Sequence, residues 1–98
     1  MIRHIVMWNL KPEAEGKSKE ENARIIKAGL EGLAGKIDGL VKAEVGINFA
    51  PGGMDLCLYS ELTDREALAV YQDHPLHMEV KKFVHKVIES RVVCDSEL

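Results

Sequence analysis

The order in which two hydrophobic periods alternate along this chain limits the folds that it can adopt. Two segments carry apolar residues at the spacing of an amphipathic helix, 18–37 and 63–87, and the second is broken at Pro75. Four segments have the pattern of β-strands: 2–10, 41–49, 54–62 and 88–95. The order strand, helix, strand, strand, helix, strand predicts an α+β, ferredoxin-like βαββαβ monomer with a four-stranded antiparallel sheet and helices on one face.

The starts of the helices are marked by short polar motifs. Ser18 precedes Glu21 by three residues, and Thr63 precedes Glu66 by three, which is the spacing of a capping box. The second helical segment is predicted to break at Pro75, because proline disfavours helical geometry at the residue before it. Proline also suits the first position of a new helix, so the chain is expected to resume as a helix there.

The first strand carries large apolar residues on both of its faces. One face is formed by every second residue: Ile2, His4, Val6, Trp8 and Leu10. On the other face lie Ile5 and Met7, and the third strand adds Cys57 and Tyr59 there. A sheet with helices on one side leaves this second face uncovered, and an apolar surface of that kind is typical of a contact site. We therefore predict a homodimer through the sheet face, with two copies related by a two-fold axis.

Composition excludes several classes of partner. The 98 residues predict a single domain, 1–98, with a formal charge of −3. Lys81, Lys82 and Lys86 form the one dense basic cluster, on a helix that also carries Glu79, and we interpret them as a solvated helix face. No nucleic-acid partner is therefore expected. Since no segment approaches the roughly 20 apolar residues of a membrane span and no signal peptide is evident, we expect no membrane partner and a cytoplasmic location.

The two cysteines, Cys57 and Cys94, lie far apart in predicted strands. They form no C-x-x-C pair and have no metal-ligand spacing. Free cysteine packs as a small hydrophobic residue. Both thiols are therefore predicted to be buried and unreactive.

A metal site built on the histidines is the less favoured interpretation of their spacing. His74 and His77 lie three residues apart, and His4 or His85 would have to complete the set. Pro75 stands between the first two, and no carboxylate or cysteine lies at ligand spacing. We therefore predict neither a metal nor another cofactor.

Five short motifs follow one another along nearly the whole chain, from position 1 to position 95. They are Ile2-Arg3-His4-Ile5-Val6, Asp55-Leu56, Leu62-Thr63-Asp64-Arg65-Glu66-Ala67, Tyr71-x-x-His74-Pro75-x-His77 and Arg91-Val92-Val93-x-Asp95. In this order and separation they resemble the stress-responsive dimeric α/β-barrel (Dabb) domain family. The resemblance implies a ferredoxin-like monomer whose sheet packs on that of its twin to form a barrel.

The same resemblance implies a candidate site. In a plant branch of the family, the olivetolic acid cyclase type, a tyrosine and a histidine of the Tyr-x-x-His-Pro-x-His segment close a polyketide chain by an intramolecular aldol step. Carried over by position, the catalytic residues would be Tyr71 and His77, and His4 would line the pocket. Helix one is glycine-rich and Arg91 would bring charge into that pocket, so cyclisation of a long-chain polyketide is not expected here.

The residue types themselves suit acid–base chemistry on a small molecule. His77 can act as a base near neutrality, and Tyr71 can donate a hydrogen bond to a developing oxyanion. His4 and Trp8 share one face of the first strand, and Arg91 of the last strand could reach the same interior to hold a negative group. We predict His4, Trp8 and Arg91 as substrate-binding residues.

Three classes of function remain open from the sequence. The favoured prediction is a homodimer with a small pocket for an unidentified small molecule. The first alternative is a small-molecule enzyme that uses Tyr71 and His77, either an aldol-type lyase or cyclase or a monooxygenase-like enzyme. The second alternative is a purely structural or protective dimer. A cavity that reaches Tyr71 and His77 would favour the first two, and a solid core would favour the third.

Overall fold

The computed structural model describes residues 1–98, and it has the ferredoxin-like α+β architecture that the sequence predicts. The strands and helices are β1 (Ile2–Leu10), β2 (Glu13–Ala14), β3 (Lys17–Ser18), α1 (Lys19–Glu31), β4 (Leu40–Ile47), β5 (Leu56–Leu62), α2 (Arg65–Asp73), α3 (Pro75–Val87) and β6 (Ile88–Glu97). The main sheet is antiparallel in the order β4-β5-β1-β6, and β2 and β3 form a separate short hairpin. None of the helices is both long and apolar enough to cross a membrane.

The hydrophobic core lies between the sheet and the helices and is centred on β1. Alternate residues of β1 and β5 point into it, because successive side chains of a strand lie on opposite faces. Each fully buried Leu or Ile contributes about 1.5–3 kcal/mol relative to an exposed one. Fully or almost fully buried residues come from the sheet and from all three helices: Val6, Leu10, Ile26, Leu30, Leu56, Leu58, Leu62, Tyr71 and Val87.

The first helix is shorter than predicted. It ends at Glu31, and Gly32 is its C-cap. Gly35 then adopts a positive φ of 84°, a left-handed conformation that glycine reaches without steric cost. The turns that follow still bury Leu33 and Ile37. The apolar stripe therefore continues beyond the helix, which is why its spacing alone predicted a helix up to position 37.

One of the two predicted capping boxes is present. Ser18 Oγ accepts a hydrogen bond from the Glu21 N–H at 3.2 Å, and the Glu21 carboxylate accepts one from the Ser18 N–H at 3.2 Å. The cap of α2 is Asp64 instead of Thr63, because the Asp64 carboxylate accepts a hydrogen bond from the Ala67 N–H at 2.7 Å. The predicted cap was wrong by one residue, since aspartate at the next position satisfies the same helical N–H groups.

A bulge changes the predicted face of β4. The pairing with β5 shifts register between Leu40 and Lys42. As a result Leu40 is buried and Val41 is exposed, whereas Val45 still points into the core. Phe49 lies beyond the end of the strand and is 100% exposed. The predicted continuous alternation from 41 to 49 was therefore correct only in the middle of the strand.

The face of the sheet opposite the helices is uncovered in the protomer. By register, β1, β5 and β6 place six residues on this open face: Ile5, Met7, Cys57, Tyr59, Val92 and Cys94. Cys57 is half-buried and Cys94 is exposed, so the prediction of two buried thiols is wrong for the single chain. The helices cover only the other face of the sheet, and burial of these thiols requires a second molecule.

Candidate functional site

The first part of the site is set by β1 and its pairing with β6. His4 belongs to the inward-facing series of β1 and is buried. It stands directly opposite Asp95 in the β1–β6 register, and its ring Nδ1 forms a close hydrogen bond with the Asp95 carboxylate. The carboxylate accepts, so Nδ1 carries the proton. The second ring nitrogen, Nε2, makes no hydrogen bond within the protein and is not completely buried.

The second part is set by the junction between α2 and α3. His74 caps α3: its Nδ1 accepts a hydrogen bond from the Leu76 N–H at 3.1 Å, and Pro75 follows at the first helical position. His77, in the first turn, is buried and donates from Nδ1 to the Tyr71 carbonyl oxygen at 3.0 Å. This bond leaves the Nε2 of His77 as a lone-pair nitrogen without a partner in the protein.

Three aromatic rings meet at this junction. Tyr71, which is 0% exposed, stacks on His77 with ring centroids 4.1 Å apart and an interplanar angle of 15°. His4 approaches the Tyr71 ring edge-on, with centroids 6.0 Å apart. The hydroxyl of Tyr71 is buried and has no hydrogen-bond partner. Each ring therefore restricts the orientation of the others.

The protonation states follow from burial. Burial is the main cause that lowers the pKa of His77 from 6.5 to about 4, and the nearby positive charge of Lys81 adds to this shift. The hydrogen bond to the Tyr71 carbonyl opposes it without restoring the usual pKa. Burial also raises the pKa of Tyr71 to about 12. At neutral pH His77 is therefore an uncharged imidazole, and Tyr71 keeps its proton.

A cavity of about 30 Å³ lies beside these rings, between the inner face of the sheet and the helices α1 and α3. Its volume suits one or two water molecules or a compact functional group of a ligand. The lining residues come from β1, α1, β5, α3 and β6: His4, Val6, Trp8, Leu30, Leu58, His77, Lys81, Val84, His85 and Arg91.

The structure brings four of the five predicted site residues to this one cavity. His4, Trp8, His77 and Arg91 line it, and Arg91 stands opposite Trp8 in the β1–β6 register. Tyr71 does not line it but contacts His77 and His4 from behind. The interior of the protomer is thus not solid at this point.

Three further residues of the site were missed by the sequence analysis. Lys81 and His85 follow His77 at intervals of four on α3 and line the cavity, although Lys81 was interpreted as part of a solvated face. The signal was present, because residues four apart share a helix face. Asp95, the partner of His4, could be found only from the strand register.

His74 and His77 do not converge as a pair of metal ligands would. His74 turns its ring to the backbone of α3, and His77 turns Nδ1 to the end of α2. Nowhere in residues 1–98 do three His, Cys, Asp or Glu side chains come close enough together to hold a metal ion.

The two-layer protomer, with its open apolar face and inner cavity, belongs to the class of ferredoxin-like α+β domains. The chain is a member of the stress responsive A/B barrel domain (Dabb) family, whose model matches residues 2–98. This confirms the resemblance drawn from the sequence motifs. No curated protein matches the chain significantly.

Solved structures are similar over almost the full chain. A dimeric ferredoxin-like protein of unknown function from Bacteroides fragilis is 32% identical, with 99% of this chain and 95% of that chain covered and a TM-score of 0.85. A dimeric ferredoxin-like protein from Thermobifida fusca is 23% identical, with 99% and 90% covered and a TM-score of 0.82. Hydroxynitrile lyase from Passiflora edulis is 20% identical, with 97% and 90% covered and a TM-score of 0.74. The last two similarities are similarities of fold.

Proposed function

We propose that this protein is a homodimer that binds a small molecule in the cavity between β1, α3 and β6. One observation carries the proposal: His4 and His77 line the same cavity, and neither Nε2 atom has a hydrogen-bond partner in the protein. Buried polar groups are usually paired within the protein. Two buried imidazoles with a free nitrogen at one cavity are therefore best explained by a ligand or by water held between them.

The homodimer is supported by the open face and by the relatives. Three strands leave an apolar surface uncovered there, and the similar proteins from Bacteroides fragilis and Thermobifida fusca are dimeric. Packing this face on its copy would bury Met7, which is 38% exposed in the protomer. An isologous contact of this kind brings the same apolar patch from both chains together.

Light scattering with a matched pair of variants tests the dimer. The native protein is expected to be a dimer at micromolar concentration, and Met7→Lys is expected to yield monomer or insoluble protein, because it places a charge in the interface. Met78→Lys is the control: Met78 is similarly exposed, at 43%, but lies on α3. A native monomer, or equal effects of the two substitutions, would contradict the sheet-face dimer.

The binding site can be tested through Trp8, the single tryptophan, which forms part of the cavity wall. Native protein is titrated with propionate, propionamide and propionitrile while Trp8 fluorescence is recorded. At least one probe is expected to give a saturable change that His77→Asn abolishes. His74→Asn is the matched control, because asparagine can still cap α3 and position 74 lies outside the cavity. If no probe gives a saturable change, a structural or protective dimer is the correct alternative.

A lyase or aldol-type reaction is the second candidate function. The observation that favours it is the neutral His77 with an unpartnered Nε2, since a general base needs a free lone pair at the operating pH. His77 would be the catalytic base. Tyr71 would be a positioning residue in this reaction, because it stacks on the His77 ring from outside the cavity lining and its hydroxyl is buried. The hydroxynitrile lyase from Passiflora edulis shares this fold.

Cleavage of acetone cyanohydrin tests the second candidate. Nε2 of His77 would take the hydroxyl proton, the carbonyl would form as the bond to the cyano carbon breaks, and the departing cyanide would take up the proton. We expect His77→Asn to reduce the rate of cyanide release by about a hundredfold or more, as is usual when a general base is removed. A native rate equal to that of His77→Asn would exclude this reaction.

A further inference from the structure

The cavity is lined by basic side chains and by no acidic ones. Its lining contains Lys81, His85 and Arg91 together with two buried histidines and five apolar residues, but it contains no carboxylate. The whole chain has a formal charge of −3, so this local excess of basic groups does not follow from composition. The neighbouring acid, Asp95, is already hydrogen-bonded to His4.

The lysine at the cavity differs from its neighbours on the same helix. Lys82 and Lys86 each form an ion pair with a glutamate, at 3.2 and 3.6 Å respectively. Lys81 is half-buried and forms neither an ion pair nor a side-chain hydrogen bond anywhere in residues 1–98. A partly desolvated ammonium group without a counter-charge is unfavourable, and an anion beside it would relieve that cost.

The basic side chains approach the cavity from two elements. Lys81 and His85 lie one and two turns after His77 on α3, and Arg91 comes from β6. Arg91 and His85 are exposed, and neither takes part in an ion pair or a side-chain hydrogen bond within residues 1–98. A guanidinium group binds a carboxylate through two parallel hydrogen bonds, and an ammonium group adds a point charge from the other side.

From these contacts we propose that the cavity binds a small carboxylate, whose anionic end is held by Lys81, Arg91 and His85. This rests on the proposed function, because it names the class of ligand for the same cavity. The volume of about 30 Å³ limits the part of the ligand that enters to a compact group. That inner group would meet the free Nε2 atoms of His4 and His77.

The experiment records Trp8 fluorescence and compares two probes of similar size and different charge, propionate and propionamide, with a third probe that carries a different anionic group. Native protein is titrated with propionate, propionamide and inorganic phosphate. Propionate is expected to bind at least about tenfold more tightly than propionamide, the ratio typical of one charge-assisted hydrogen bond. Lys81→Gln and Arg91→Gln are each expected to weaken propionate binding about tenfold. Lys82→Gln, next to Lys81 on the solvent side and paired with Glu79, is expected to leave it unchanged.

The outcomes separate this inference from the proposed function. Equal binding of propionate and propionamide would overturn the anionic ligand but leave a small-molecule site standing. Tighter binding of phosphate than of propionate would overturn the carboxylate, and equal losses in Lys81→Gln and Lys82→Gln would overturn the assigned contacts. Absence of a response to every probe would contradict both. The comparison of the two propionyl probes uses native protein only, so it holds whether or not a variant folds.

Discussion

Replacing Tyr71 by phenylalanine is expected to stabilise the protein, against the usual effect of removing a polar group from a core. The Tyr71 side chain is completely buried and its hydroxyl has no hydrogen-bond partner. A buried hydroxyl without a partner costs about 1–3 kcal/mol relative to water. Phenylalanine removes that cost and keeps the ring stacked on His77.

The expected size of the effect follows from the lower part of that range. We expect the free energy of unfolding to rise by about 1 kcal/mol, because a missing hydroxyl also leaves a small gap in the packing. For a domain of 98 residues this corresponds to an increase in Tm of about 4–8 °C.

Urea unfolding followed by circular dichroism measures the change in stability. Native and variant proteins must be compared at one protein concentration, because the stability of a dimer depends on concentration. Tyr59→Phe is the control, since the Tyr59 hydroxyl donates to the Glu61 carboxylate at 2.5 Å and its removal should not stabilise. A loss of stability of about 1 kcal/mol in Tyr71→Phe would refute the reasoning, because it would mean that the Tyr71 hydroxyl is hydrogen-bonded in solution.

Two further predictions concern pH and the backbone. The pKa of His77 is about 4 in the folded chain, below the ordinary value of 6.5, so the unfolded chain binds more protons between these pH values. The free energy of unfolding should therefore fall as the pH drops from 6.5 towards 4, by up to about 3 kcal/mol from this group. Urea unfolding at several pH values should show that the free energy of unfolding declines less steeply in His77→Asn than in the native protein. Equal declines in the two proteins would contradict a low pKa for His77. Gly39 and Gly35 both have positive φ, but a Cβ on Gly39 would lie 2.5 Å from the Ala67 Cβ, whereas a Cβ on Gly35 would meet no atom within 4 Å. In thermal unfolding, Gly35→Ala is expected to lower the free energy of unfolding by roughly 1–2 kcal/mol, the cost of a left-handed alanine. Gly39→Ala is expected to lower it by about 1 kcal/mol or more in addition, because of the contact with Ala67. Equal losses would show that the Ala67 contact relaxes freely.

The sequence by itself determined the fold and which face of β1 is buried. Hydrophobic period is a local property, so the alternation along β1 was enough to place His4 and Trp8 on the buried face and Met7 on the open one. The capping box at Ser18 and the helix break at Pro75 could also be predicted from the sequence. Both depend on hydrogen bonds or steric clashes between residues only a few positions apart.

The ends of the helices were harder to predict where two local sequence signals compete. The apolar spacing up to Ile37 favoured a longer helix, whereas Gly32 and Gly35 allowed the chain to leave it at Glu31 and to bury the remaining apolar groups in turns. Asp64 likewise took the capping position from the threonine before it. In both cases the free-energy difference between the alternatives is small, and the packing of the rest of the chain decides between them.

Only the tertiary structure showed which further groups, Asp95 and Lys81, join the predicted site residues. Asp95 reaches His4 because the β1–β6 register places them opposite each other, and the same register sets Arg91 opposite Trp8. The packing of α3 over the sheet then places Lys81 in the lining of the same cavity as Arg91. Contacts between elements that are distant in sequence depend on register and on helix packing, and neither is encoded in the spacing within a single element.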